Sequence, residues 1–254
     1  MTEETHGGSE GGIPELPTFF DLLPIDKHTE IFGLSMQHEL VPIMMSMLII
    51  MFLGVFSMVA TRNLKKIPVG LQAFLEIVVE ALDNFVKSVL GKLSDKFLPF
   101  IGSLFLYILI MNLIGQIPGF HSPTTSYNTT LALTLLVFIA TQYYGLKHNG
   151  PVKYFKHMLG EPKWMAPMQF PLHLLQEYLT RPLSLSVRLF GNLMGQHTVL
   201  AIFIGFSPLL LGLIPIPIQF PFVLLDMLLA TLQAFIFAFL ASFYIAGAIG
   251  EKDL

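Results

Sequence analysis

The chain has 254 residues, of which 54% are hydrophobic and only 12% are charged, and its mean hydropathy is +0.68. This composition excludes an ordinary water-soluble domain, because a surface so apolar is stable only in lipid. The small net charge of −3 gives no reason to expect nucleic-acid binding. Because cysteine is absent, disulfides and thiolate metal sites are excluded as well. We therefore predict an all-α integral membrane protein.

Residues 1–39 form an acidic segment with a single basic residue, Lys27, and no basic start followed by an apolar core. This pattern is not that of a cleavable signal peptide, so we expect the first apolar stretch to act as its own insertion signal. The rest of the chain, 40–254, is expected to form one membrane domain.

Five largely apolar stretches are long enough to cross a hydrocarbon core of roughly 30 Å. A sixth segment differs, because its apolar residues recur at helical spacing and its charged residues take the other positions, as in a helix lying on the membrane surface. The predicted spans are 40–61, 98–118, 128–146, 171–206 and 221–249, and the amphipathic surface helix is 69–90.

The last two spans are unusually long. A helix over 221–249 is about 43 Å in length and fits inside the bilayer only with a tilt near 45°, compared with about 20° for ordinary spans. Pro182 predicts a kink in the preceding span. A proline-rich connector over 208–221 separates the two, so we predict a strongly tilted antiparallel hairpin.

Charge asymmetry predicts the orientation. The basic loops 62–66 and 147–163 belong on the cytoplasmic side by the positive-inside rule. The acidic N-terminus then lies outside, and five crossings bring the C-terminus to the cytoplasm.

Arg188 lies about 18 residues from the outer end of its predicted helix, too far for its side chain to reach the interface. A guanidinium at this depth costs several kcal/mol unless it faces protein or water. Because it does not lose its proton, it acts only as a fixed positive charge. We expect Arg188 to be buried among polar groups, either as an ion-transport residue or as one partner of a structural ion pair.

Polar residues of both long helices share faces with one another. Asn192 lies one turn beyond Arg188, whereas His197 points to another side of the helix. If the helices fold antiparallel, His197 and Asp226 reach one depth, and Arg188 comes roughly level with Gln233. An imidazole beside a carboxylate is a plausible proton carrier near neutral pH.

Other polar residues are weaker candidates for the ion path. Asn112 and Gln116 are one turn apart and serve either the path or helix packing. Glu177 is either a solvated helix-end acid or part of an inner exit, and Tyr244 extends the face of Gln233. The spacing of the histidines predicts no metal site, and no nucleotide-binding or hydrolase motif predicts a cofactor.

The strings Pro182-Leu-Ser-Leu-Ser-Val-Arg-Leu-Phe-Gly-Asn192 and Leu232-Gln-Ala-Phe-Ile-Phe237, with Asn112-Leu-Ile-Gly115, resemble subunit a of F-type ATP synthases. The resemblance covers the chain from about residue 18 onward. It implies a non-catalytic stator of the CF(0) sector, which contacts a ring of c subunits, b-type peripheral-stalk subunits and the rest of the complex. The acidic start without a signal peptide favours a bacterial inner membrane over the membrane of an organelle.

The same resemblance implies roles for individual residues. Arg188 faces the c-ring carboxylate and separates two offset half-channels for protons, with Asn192 and Gln233 as its polar companions. His197 and Asp226 occupy the paired titratable positions of the outer half-channel. At the inner exit, relatives often carry an acid about one turn before Glu177, where this chain has Leu174.

Two other classes of protein are alternatives. A self-contained secondary transporter could use Arg188 to bind an anionic substrate, but such transporters usually contain an internal repeat, and none is visible. An intramembrane enzyme could use His197 and Asp226, but it needs a nucleophile or a metal at the same depth.

Overall fold

The computed structural model describes residues 30–31, 34–35, 40–62, 65, 68, 70–117, 120, 122–158, 166–211 and 219–250. The predictions made for the acidic segment before residue 30, for 159–165 in the basic loop, for 212–218 in the connector and for the His197 side chain lie outside this part of the chain.

The described residues are almost entirely helical, which confirms the predicted helical class. A two-residue β ladder precedes the helices, and it pairs β1 antiparallel with β2. The elements are β1 (Glu30–Ile31), β2 (Leu34–Ser35), α1 (Val41–Thr61), α2 (Leu71–Leu90), α3 (Ser94–Ile114), α4 (Tyr127–Met158), α5 (Ala166–Leu175), α6 (Arg181–Leu211) and α7 (Gln219–Ile249).

Four stretches of the described chain are long and apolar enough to cross a membrane. They are Val41–Thr61, Gln72–Ile114, Tyr127–Gly150 and Pro221–Ile249. The second of them joins α2 to α3 through a 3-10 turn at Gly91–Leu93. Because this turn follows α2 directly, α3 begins at Ser94, four residues before the start predicted from hydrophobicity.

The core forms where α7 packs against α3. Buried alanines recur along one face of α7 at helical spacing, and their small side chains let neighbouring helices approach closely. These alanines are Ala230, Ala234, Ala238 and Ala241. Fully buried Ile101, Ile108 and Met111 of α3 belong to the same core cluster.

Two edge-to-face aromatic pairs join α4 to the α5–α6 segment. Tyr127 meets Phe190 with ring centroids 5.8 Å apart, and Phe138 meets Tyr178 at 5.5 Å. The partner of the later α4 residue, Phe138, comes earlier in the chain than the partner of Tyr127. The two segments therefore run antiparallel.

The C-terminus of α7 is capped by α4. The Asn149 side-chain amide donates to the carbonyl oxygens of Ala248 and Ile249, at 2.9 and 2.7 Å. Gly250 then ends the helix with a φ of 96°, a conformation that favours glycine. Carbonyl groups that a helix end would leave without partners are thereby satisfied.

A π-helical turn, Gln176–Thr180, connects α5 to α6. Pro182 lacks a backbone N–H, so it cannot make the regular helical hydrogen bond at this point. The Thr180 hydroxyl donates to the carbonyl of Leu175 at 3.4 Å. The kink that Pro182 predicts therefore takes the form of a widened turn, a feature frequently found at functional sites.

Candidate functional site

Arg188 is exposed on the lateral surface of the helix bundle. Leu185, Leu189 and Leu193 define the buried face of α6, and each is at most 2% exposed. Position 188 is rotated away from this face, so its side chain points outward. Among the described side chains, none forms a hydrogen bond or ion pair with the guanidinium. The expectation that polar groups of its own chain bury Arg188 was therefore wrong.

One turn beyond Arg188, Asn192 joins α6 to α7. Its side-chain amide donates a hydrogen bond to Gln233 Oε1 at 3.1 Å. Gln233 is only 3% exposed and Asn192 is half-buried, so the pair lies at the edge of the helix interface. The structure thus joins to each other the two residues that the resemblance implied to be polar companions of Arg188.

A second contact between the same helices establishes their register. The Arg181 guanidinium lies 5.0 Å from the centre of the Tyr244 ring. Arg181 lies eleven residues before Asn192 in α6, and Tyr244 lies eleven residues after Gln233 in α7. The two helices are therefore antiparallel. This register puts Arg188 level with Phe237. The sequence predicted Arg188 to be roughly level with Gln233, so the prediction was off by one helical turn.

Asn112 belongs to a buried polar network at one end of α3. Its side-chain amide donates to the carbonyl of Ala230 in α7 at 3.4 Å, and its Oδ1 accepts from the Thr124 hydroxyl at 3.1 Å. The Ser122 hydroxyl lies 2.7 Å from the Thr124 hydroxyl and 2.9 Å from the Met111 carbonyl, and it donates its single hydrogen to one of them. Each of these side chains is at most 1% exposed. The network attaches the 122–125 turn to both helices.

Gln116 and Asp226 each lie four residues from one partner of the contact between Asn112 and Ala230. Gln116 lies in the turn just after α3, and Asp226 lies in α7. Asp226 is half-buried. The Gln116 Nε2 atom is buried and has no hydrogen-bond partner among the described residues.

The α6–α7 register also locates position 197. The backbone at 197 lies opposite Leu228, about 3 Å along the helix axis from Asp226. The two positions therefore share a depth, although the contact between their side chains stays a prediction.

Glu177 lies at the other end of α6, in a second polar cluster. It forms an ion pair with Arg181, whose guanidinium stacks on Tyr244. Thr134 and Thr141 of α4 line the same small cavity. The structure thus joins Glu177 to Tyr244 through Arg181, about 16 Å along the helix from Arg188.

Three polar residues were not singled out from the sequence. Arg181 links Glu177 to Tyr244, and this role depends on the contact between two helices. Thr124 gains its role only through the fold, because its partner Asn112 is on another element. Gln196, by contrast, could have been found from spacing, since it lies one turn beyond Asn192. Its buried Nε2 has no partner among the described residues.

These features define a multi-helix membrane protein that presents one arginine on its lateral surface, between two groups of polar side chains. Comparison with known proteins is consistent with this class. The family model described as "ATP synthase A chain" matches residues 42–246. The chain therefore belongs to the ATP synthase A chain family, as its motifs indicated.

Individual relatives match over most of their length. "ATP synthase subunit a" of Trichlorobacter lovleyi is 42% identical over 203 residues, which cover 80% of this chain and 84% of the relative. "ATP synthase subunit a 1" of Pelobacter propionicus is 42% identical over 204 residues, covering 80% and 85%. "ATP synthase subunit a" of Geobacter sulfurreducens is 41% identical with the same coverage.

Proposed function

We propose that this chain is the proton-translocating stator subunit of a rotary F-type ATP synthase, with Arg188 as the fixed charge that faces the c ring. The observation that supports this most directly is the exposed guanidinium without a partner among the described side chains. A charge in contact with lipid at this depth costs several kcal/mol, so an acidic or hydrated surface from outside the chain must cover it. A carboxylate on a neighbouring subunit meets that requirement.

The surface around Arg188 suits a closely packed partner helix. Ser184, Gly191 and Gly195 lie on the same exposed side of α6. A Cβ atom at Gly191 or Gly195 would have no neighbouring atom within 4 Å, so packing inside the chain does not explain either glycine. Small side chains let the backbones of two membrane helices approach each other. We define the c-ring face as Ser184, Arg188, Gly191 and Gly195.

The polar side chains on the two sides of Arg188 would form two offset half-channels. The outer one would use Asn192, Gln233, Asp226, His197, Gln116 and Asn112. Glu177 and Tyr244 would serve the inner one. Neither group extends past Arg188 along α6, so a proton would cross between them only on the moving carboxylate.

The mechanism follows from the cost of charge in lipid. A protonated c-ring carboxylate is neutral and can face lipid, whereas an ionised one cannot do so cheaply. Arg188 would favour the ionised form as each c subunit passes, so that the proton leaves toward the inner half-channel. The membrane potential contributes about 2.3 kcal/mol per charge for each 100 mV. The chain itself would conduct protons, and phosphoryl chemistry would belong to other subunits.

The proposed topology has five crossings, formed by α1, α3, α4, the α5–α6 segment and α7, with α2 on the membrane surface. The N-terminus would lie outside and the C-terminus in the cytoplasm of a bacterium. Besides the c ring, the proposed partners are b-type stalk subunits and the remainder of the ATP synthase.

The deciding experiment replaces Arg188 in the whole complex, reconstituted in liposomes. Both Arg188→Ala and Arg188→Lys are expected to abolish ATP synthesis driven by a proton gradient, because an ammonium does not reproduce the planar guanidinium that pairs with a carboxylate. ATP hydrolysis by the detached soluble sector serves as the control. Persistent synthesis by the Arg188→Ala complex would refute the proposal.

A further inference from the structure

We propose that Arg181 is a positioning residue for proton transfer. Its ion pair holds the Glu177 carboxylate in place, and the Tyr244 ring holds the Arg181 guanidinium. This inference rests on the proposed function, since it gives Glu177 a role at the inner half-channel. It adds a residue and an arrangement that the motifs around Arg188 do not include.

The first support is the local backbone. Glu177 belongs to the π-helical turn Gln176–Thr180, and Arg181 is the next residue after it. A π-turn closes with hydrogen bonds between residues five apart, so two residues four apart remain on one side of it. The Pro182 ring and the Thr180 hydroxyl maintain this widened turn. The backbone therefore directs both charged side chains to the same place.

The second support is the partial burial of the ion pair. The Arg181 and Glu177 side chains are only 26% and 15% exposed, so both charges have lost much of their water. Removing two charges from water is costly, and a pair of apolar residues in such a position is often at least as stable. Stability alone is thus a weak reason for this pair, and a functional role explains it better.

The third support is the aromatic stack. The Arg181 guanidinium lies over the Tyr244 ring, with its carbon 5.0 Å from the ring centre. A guanidinium held over an aromatic ring by a cation–π contact can still donate its N–H groups to a carboxylate. Tyr244 belongs to α7, so the stack also connects the Glu177 site to the helix that carries Gln233.

The fourth support is the neutral character of the remaining walls. On the α4 side, Thr134 and Thr141 line the cavity, and their hydroxyls donate to the carbonyls of Thr130 and Val137, both at 2.9 Å. From α7 the titratable group is Tyr244, and from α6 the charged group is Arg181. Within the described part of the chain, Arg181 is therefore the cation that faces Glu177.

The test uses the complete ATP synthase in liposomes, with the pH varied separately on the two sides. We expect Arg181→Gln to slow proton-driven synthesis about 10-fold to 100-fold, as misplaced reacting groups commonly do. The response of the rate to pH on the F1 side, which is the side of the soluble sector and the side to which the inner half-channel would open, should change, because the carboxylate is no longer held in one position. The response to pH on the opposite side should stay as in the unmodified complex.

Companion variants separate positioning from folding. Arg181→Lys should recover part of the rate, and Tyr244→Leu should reproduce part of the loss while keeping every charge. In a Glu177→Gln background, Arg181→Gln should cause no further loss, since the group that it positions is already gone. If Arg181→Gln prevents assembly, Tyr244→Leu and Arg181→Lys are measured instead, each alone and in the Glu177→Gln background, where neither should cause a further loss.

The outcomes distinguish the two proposals. Suppose that the Arg188→Ala complex is inactive. The role of Arg181 is then refuted if Arg181→Gln leaves the response to pH on the F1 side unchanged, or if the loss of rate caused by Arg181→Gln adds fully to that caused by Glu177→Gln. Either result leaves the stator function unaffected. If the Arg188→Ala complex still synthesises ATP, the stator function itself fails.

Discussion

The side-chain amide of Asn192 donates a hydrogen bond to Gln233 across the interface of α6 and α7, at 3.1 Å. Among the described side chains, the bond is one of few polar contacts between these two largely apolar helices. It places Arg188 one turn away, level with Phe237, where the guanidinium projects from the bundle. The pair therefore determines the level of each α6 residue of the proposed proton path relative to α7.

The first prediction concerns this bond. Asn192→Leu should leave the buried Gln233 amide unpaired, at a cost of about 1–3 kcal/mol. Gln233→Leu alone should cost a similar amount, whereas the double variant should lose less than the sum. Proton pumping and thermal stability of the purified complex would be compared among the unmodified protein, the two single variants and the double variant. Full additivity would show that the two side chains do not interact.

The second prediction tests the c-ring face by size. Gly191→Leu should block the close approach of a partner helix and abolish ATP-driven proton pumping, although an added Cβ atom meets no atom of the chain itself within 4 Å. Gly54→Leu is the matched control, because Gly54 in α1 also has no atom within 4 Å of an added Cβ. Equal pumping by both variants would place the ring elsewhere.

The third prediction uses the absence of cysteine, which allows one reactive thiol to be introduced at a time. Gly195→Cys should form a disulfide with a cysteine placed on the c subunit about 10 Å from its carboxylate toward the outer side, because Gly195 is about 10 Å from Arg188 along α6 and the two helices would pack within bonding distance there. Gly54→Cys should form none. Electrophoresis of oxidised membranes separates the cross-linked species, and the reverse pattern contradicts the proposed face.

The fourth prediction concerns the outer half-channel. Asp226→Asn should reduce the proton flux at least about tenfold, equivalent to about 1.4 kcal/mol in barrier height, and should alter the response to pH on the outer side. Asp95→Asn removes an exposed acid from the start of α3 and should leave the flux unchanged. Flux into liposomes after a potassium-valinomycin pulse measures both. An unaltered rate with Asp226→Asn would exclude this carboxylate from the path.

The fifth prediction concerns stability alone. Asn149→Ala removes two hydrogen bonds from the last carbonyls of α7 and should destabilise the chain by about 1–3 kcal/mol. Asn84→Ala, at an exposed position of α2, should have little effect. Thermal unfolding of the purified complex compares the two. Equal melting temperatures would indicate that water replaces the cap.

The sequence by itself determined the membrane class, the helices and the family, because long apolar stretches and short motifs are local properties of a chain. It also selected Arg188, Asn192 and Gln233, since a polar residue in an apolar helix stands out in any fold. Only the tertiary structure decided which face of α6 is buried, because that depends on how Leu185, Leu189 and Leu193 pack against other helices.

For the same reason, packing turned Arg188 outward, paired Asn192 rather than Arg188 with Gln233, and joined Arg181 to both Glu177 and Tyr244. Spacing along one helix defines which residues share its faces. The register between two helices is a property of their contact, and a single turn of difference moves each side chain by about 5.4 Å.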